Sequence, residues 1–322
     1  MITRCAVLLT LIGFHLCLSP DSKSSGPEPE MIGEGVVSTS GDEFGGALTA
    51  DGNTIYFTRS VPTHYLYSLC VAHFVQGRWT TPEILPFSGK YRDSDPTLSP
   101  DGLRMYFVSD RPVCVKSGAC VDRHNFDIYV STLVKGQWGQ PARLAEPTNS
   151  PSNEYFASVA ANGNLYFTSQ RQGSKGIDVY RARWVNGAVE APENLGAPVN
   201  GDQIANVEAF IAPDESYLLL GTFGRPGFGS SDLYISFAKA GKWTEPKNLG
   251  PAINSSGRDY SPHVSLDGKW LLYGSERGMS TEKHNGPWTY REFHRRSAGV
   301  LNGLGNLYRV PLSTVLGRES TQ

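Results

Sequence analysis

Five copies of one loose pattern, recurring about every fifty residues, predict an all-β chain folded as a five-bladed β-propeller of four-stranded antiparallel blades. Two more observations carry that expectation. Each copy holds an Asp-Gly-like turn between two short runs, and long helical periodicity is absent. The 322 residues include 35 Gly and 21 Pro with 11% aromatics, a mixture suited to many short strands whose rings pack between sheets.

The N-terminal segment reads as processing rather than structure. Arg4 precedes an apolar stretch at 6–18 that is too short to span a membrane and about right for a signal core. A polar tether, 19–28, follows; the propeller is expected over 29–316, with a tail at 317–322. Cys17 stands where a lipoprotein would be cut and acylated, although Leu16 before it is larger than that rule wants. Export, with periplasmic, envelope-attached or secreted location, is the expectation.

The repeat aligns on Asp51, Asp101, Asn162, Asp214 and Asp267, residue types that tolerate tight hairpin turns. A first strand runs into each turn. The second strand is apolar on both faces, as in Ile55-Tyr56-Phe57, Met105-Tyr106-Phe107 and Leu165-Tyr166-Phe167, which suits a sheet sandwiched between two others. Third strands carry Asp127-Ile128-Tyr129, Asp178-Val179-Tyr180, Asp232-Leu233-Tyr234 and Asn306-Leu307-Tyr308. Fourth strands follow Trp79, Trp138 and Trp243, each with a proline (Pro82, Pro141, Pro246) just beyond, a residue tolerated at a free edge. The last copy stops after its third strand, while Pro29-Glu30-Met31-Ile32-Gly33 resembles the fourth-strand segment starting at Pro192. Residues near 29–36 should therefore complete the final blade and close the ring.

Cys114 and Cys120 are expected to close a small loop as a disulfide, and Cys70 to be a buried small hydrophobe. Asp122 and His124 nearby do not complete a familiar metal spacing, so no metal and no cofactor is expected.

Leu98-Ser99-Pro100-Asp101-Gly102, Ser109-Asp110-Arg111, Ser169-Gln170-Arg171 and Ser275-Glu276-Arg277, with the Asp-Ile-Tyr and Trp-x-x-Pro elements, resemble the WD-like propeller repeats of TolB-type periplasmic and envelope proteins. The resemblance covers roughly 29–312. It implies protein or ligand binding in the envelope and carries over no catalytic residue. The first blade departs from it at Ser68-Leu69-Cys70, and the third has Val189 where others have Trp.

Propeller topology puts the loops that enter first strands and those joining second to third strands on one face, here called the mouth. That face should collect the repeat acids Glu43, Asp93, Glu154 and Asp259, with Asn206 in the fourth copy, and the repeat arginines Arg59, Arg111, Arg171, Arg225 and Arg277. They could grip a polar ligand, or pair with one another to orient loops. Recurrence in every blade argues for pairing, because catalysis needs a residue once and architecture needs it five times. Departures from the repeat are the better ligand-binding candidates: Glu208, an extra acid beside Asn206; His284, Trp288, Arg291 and His294 in the insertion 278–303; His64 in the first blade; and Arg123 and His124 by the cysteine loop. The insertion could cover the channel or plug it.

A net charge of −2 and one short, interrupted basic run at 291–296 give no nucleic-acid field, and no apolar run is long enough for a transmembrane helix. Hydrolase elbows, phosphate loops and zinc helices are missing from the sequence. The expected function is an exported scaffold binding a protein partner or a carbohydrate polymer on the mouth face. The alternative is a glycoside hydrolase or lyase with carboxylates at the channel.

Overall fold

The computed structural model describes residues 27–61, 65–114, 118, 120–122, 125–185, 188–278 and 286–317. Alternating short apolar runs and tight turns build five antiparallel blades. Blade I comprises Asp42–Leu48, Thr54–Ser60 and Tyr67–Val75; blade II, Asp93–Leu98, Arg104–Ser109 and Asp127–Val134; blade III, Glu154–Val159, Leu165–Ser169 and Asp178–Ala182. Blade IV comprises Ala205–Ile211, Tyr217–Phe223 and Asp232–Lys239, and blade V, Asp259–Val264, Trp270–Ser275 and Asn306–Pro311. The first strands stand side by side around the axis.

The outer strands are shorter than the pattern predicts. In blades I, II and IV the third strand meets two separate two-residue pieces, such as Arg78–Trp79 and Glu83–Ile84, with Pro82 between them. Proline has no N–H for the ladder, so the edge breaks there. Blade V takes its outer strand from the N-terminal side, Glu30–Met31, in register with Arg309 and Tyr308. An Arg309–Glu30 ion pair at 2.9 Å and the Ile32 amide donating to the Leu307 carbonyl extend that clasp.

Because the second strands are apolar on both sides, each blade packs on both neighbours. Five buried clusters result, one between each adjacent pair of blades. Phe57 and Leu272 meet between blades I and V; Leu69 and Phe107 between I and II. Each such side chain contributes about 1.5–3 kcal/mol on burial. Cys70 lies inside one of these clusters, and burial pushes its thiol up to about 11, making it inert. Cys114 and Cys120 are disulfide-bonded across a small two-stranded hairpin.

A repeated clamp, unrecognised in the sequence, holds the third strands. Asn149, Asn200 and Asn254 each accept from one strand amide and donate to the carbonyl of the same residue, respectively Ile128, Val179 and Leu233. Ser38 does this for Leu307 through a single hydroxyl. Side chains here supply the partners that a longer outer strand would have provided.

The axis is plugged midway. Four first strands kink at a residue with positive φ, namely Gly45, Asp95, Phe156 and Ser261. Just beyond the last of these, His263 is fully buried between the rings of Phe156 at 4.9 Å and Phe210 at 6.0 Å. Its Nδ1 donates to the Ser261 carbonyl at 3.1 Å, so Nε2 accepts from the Thr97 hydroxyl at 3.0 Å. Blades II, III, IV and V thus converge on one imidazole.

Burial lowers the His263 pKa from 6.5 to about 4. Between those values the unfolded chain binds a proton that the folded chain refuses, so this contribution to stability is complete above pH 6.5 and lost as pH falls toward 4. His263→Gln keeps a group able to bond Thr97 but does not titrate. Its urea midpoint should decline less between pH 7 and 4.5 than that of the parent; equal declines would remove His263 as the cause.

Candidate functional site

The repeat acids and arginines pair on the mouth face. Glu43 meets Arg59 at 3.0 Å, Asp93 meets Arg111 at 2.6 Å, Glu154 meets Arg171 at 3.0 Å and Asp259 meets Arg277 at 3.8 Å. All four carboxylates are fully buried. In blade IV, where Asn206 replaces the acid, Arg225 turns to the carbonyls of Pro198 and Val199 and to exposed Glu245. Each of these arginines also lies over an aromatic ring of its own blade: Arg111 over Phe107 and Tyr129, Arg171 over Phe167 and Tyr180, Arg277 over Tyr273 and Tyr308. One guanidinium therefore ties the head of the first strand to the second and third strands. The third-strand acids are held as well: Asp127 by Arg143, Asp178 by Asn194 and Asp232 by Asn248.

The positions two residues beyond the repeat acids do not repeat: Gly45, Asp95, Phe156, Glu208 and Ser261. Two of them, Asp95 and Glu208, line a pocket of about 170 Å³ on the mouth side of the His263 plug. Its polar floor is Asp95, Glu208 and Arg258; its walls include Phe44, Tyr67, Phe126, Tyr155 and Tyr260. Two glycines make room for the acids. A Cβ on Gly45 would stand 3.1 Å from an Asp95 oxygen, and one on Gly221 would collide with Glu208 Oε2. Across Gly45, Asp95 reaches from blade II to accept from the Ser261 hydroxyl of blade V at 2.8 Å.

Glu208 Oε1 faces Arg258 Nη2 at 3.4 Å, a long contact, while buried Oε2 has no hydrogen-bond partner of good geometry. Arg258 is itself pinned over the Tyr260 ring at 4.0 Å. Burial drives the Glu208 pKa up to about 8; Arg258 pulls it down, and the neighbouring Asp95 pushes it up again. Asp95 keeps part of its surface open to the pocket, yet lies deep enough that desolvation also raises its pKa, against bonds from Ser261 and Ser94. Burial thus favours the protonated, donating form of Glu208, beside a second carboxyl whose affinity for protons is also raised.

Of the residues singled out from sequence, Glu208 is in this pocket. The insertion does not contribute to its lining among the described residues. It forms a capped helix, Tyr290–Ser297, with no buried side chain; Arg291 and His294 are exposed on it, and Trp288 lines a separate shallow depression. His64, Arg123, His124 and His284 lie outside the described residues. Asp95 and Arg258 were missed. For Asp95 the clue was available: it stands two residues beyond the repeat acid, the offset at which Glu208 also departs from the repeat, whereas Arg258 precedes its repeat acid just as Arg92 does in blade II.

No family profile and no curated protein sequence matches the chain. Similar solved structures share the propeller fold. An alpha-L-arabinofuranosidase from Lactobacillus brevis aligns with 86% of this chain and 92% of its own at 13% identity and TM-score 0.50. A GH62 hydrolase in complex with xylotriose aligns over 90% and 98%, at 12% identity and TM-score 0.51. TolB from Acinetobacter baumannii reaches 22% identity over 84% of this chain and 54% of its own, at TM-score 0.46. The chain spans about half of that TolB. At these identities the likeness to the arabinofuranosidase and the GH62 hydrolase establishes the fold alone.

The pairing scheme has a measurable consequence. Arg111→Met strands the fully buried Asp93 carboxylate and should cost about 3–5 kcal/mol. Arg225→Met frees two carbonyls and an exposed acid and should cost clearly less. Urea unfolding of both variants would read the difference; equal costs would argue against the architectural role of the acid pairs.

Proposed function

We propose that the chain is an exported propeller that binds a saccharide unit of a carbohydrate polymer in the mouth pocket. The observation that carries this reading is the pocket itself: acids that break the repeat on its floor, aromatic faces on its walls, and one buried carboxyl oxygen with no good partner in the protein. Sugar rings suit such a site because their C–H faces lie against aromatic rings while their hydroxyls bond to a few placed polar groups. A protonated Glu208 can donate to a sugar oxygen, and Arg258 can donate to a second. Exposed Tyr65 and Phe228, on mouth-face loops of blades I and IV, offer further surface to a longer polymer. A disulfide and the signal-like segment at 6–18 support export. The sugar-directed activities named for the two glycosidase neighbours agree with this choice by analogy only.

Calorimetric titration with a panel of neutral and acidic oligosaccharides tests the reading. At least one should bind at pH 6, lose tenfold or more in affinity with Glu208→Ala, and weaken as pH rises through about 8, where Glu208 loses its proton. A panel without binders, or binding indifferent to Glu208→Ala, would overturn it.

One observation favours hydrolysis as the second reading. Two carboxyls with raised pKa share one pocket, which is how a general acid is kept protonated beside a second carboxyl group. Any bound oligosaccharide should then release reducing ends, and Glu208→Gln should abolish release while sparing binding. Intact oligosaccharide after prolonged incubation would leave a binding protein.

A further inference from the structure

The His263 plug leaves a second cavity on the opposite face, at the ends of the first strands rather than their beginnings. Its volume is about 270 Å³, larger than that of the mouth pocket, and its walls are mostly apolar: Leu48, Leu98, Val159, Phe210, Ile211 and Leu266, with Thr97 and His263 as a fully bonded floor. An engineered apolar cavity of about 150 Å³ already admits benzene, so this one has room for a phenyl or leucyl side chain. The cavity is not isolated. A shallow groove of about 620 Å³ shares Pro213, Tyr217 and Gly268 with it and runs over Phe237 to Leu312 and Leu316.

The turns around the opening are acidic. They carry Asp51, Asp101, Asp214, Glu215 and Asp267 against Arg104 and Lys269. The aspartates stay ionised. Bonds from Thr49, Ser99 and Ser216 hold Asp51, Asp101 and Asp214 below the usual carboxylate range, and at Asp267 partial burial is outweighed by bonds from Ser265 and Lys269.

We propose that this face docks an extended, basic segment of a partner protein, with one apolar side chain anchored in the cavity, its backbone along the groove and its lysines or arginines against the turn carboxylates. Cavity and groove together fit an extended chain better than a compact small molecule, and the rim charge selects a cationic one. The site stands apart from the mouth pocket and does not depend on the saccharide reading.

A fluorescent pentapeptide, one phenylalanine between two pairs of lysines, is the probe, titrated into the full purified chain with polarisation as readout. Binding is expected, with a loss of tenfold or more when the peptide phenylalanine becomes alanine or when Leu266→Trp fills the cavity. Pro213→Trp, at an exposed rim position, repeats the block should Leu266→Trp fail to fold. Asp214→Asn should weaken binding about twofold, and raising salt from about 50 to about 300 mM should weaken it further. Three results would each overturn the proposal: no binding to the parent chain, equal binding of a peptide with glutamates in place of lysines, or binding that survives both tryptophan variants. Oligosaccharide should leave peptide affinity unchanged, and Glu208→Ala should do the same.

Discussion

Strands that meet around an axis leave a hole that side chains must fill, and here an imidazole sits in it with Phe156, Phe210 and Thr97 around it. His263 is reached by four of the five blades, through a hydroxyl, a carbonyl and two aromatic rings. Because it is neutral, fully bonded and flanked by two tilted aromatic rings, it closes the axis without leaving a polar group unsatisfied. Above it lies the pocket with aromatic walls and a floor of two carboxyls and a guanidinium, and below it the cavity with mostly apolar walls. The two candidate sites exist as separate chambers because the axis is blocked between them.

The mouth face illustrates how a repeat and a site can share the same surface. At the repeated positions, charge is neutralised inside each blade, and the arginines reach aromatic rings that lock three strands together. At the neighbouring positions, two residues further along, the five blades carry five different residues, Gly45, Asp95, Phe156, Glu208 and Ser261. Function can be placed there at small architectural cost. Blade IV shows the exchange: it has given up its repeat acid at Asn206 and carries its carboxyl two residues further in, at Glu208.

The blade count, the turn positions, the closing N-terminal strand and the Cys114–Cys120 bond were legible because each repeats or has a local cause. So was Glu208, as an acid out of place. The interruption of the outer strands was only half legible: Pro82, Pro141 and Pro246 marked an edge, but not that the edge would break. The asparagine clamps went unseen although they recur, because a buried asparagine between an apolar residue and a turn looks like any other loop residue until its strand is in place. Asp95 and Ser261 meet across an intervening blade, 166 positions apart in sequence. Such a meeting follows from ring geometry and from the missing side chain of Gly45, neither of which a linear pattern displays. The insertion 278–303 was only partly legible as well. Its aromatic and basic residues could cover the channel or plug it; among its described residues, Tyr290–Ser297 form a helix that does not line the mouth pocket.

The clasp between Glu30 and Arg309 joins groups 279 positions apart. A chain that leaves the ribosome or crosses a membrane with its N-terminus first must carry Glu30–Met31 as an orphan until almost the whole polypeptide has followed. Four blades can pair their strands in order of emergence, but the fifth cannot, and its apolar faces stay open to solvent until then. Ring closure is therefore the last and most non-local step, with the largest loop-closure entropy in the molecule. An unfinished chain would present an uncovered apolar blade face at each end of an open arc, with Glu30–Met31 still unpaired. Quality control of such a protein has one simple thing to recognise: an arc that has not become a circle.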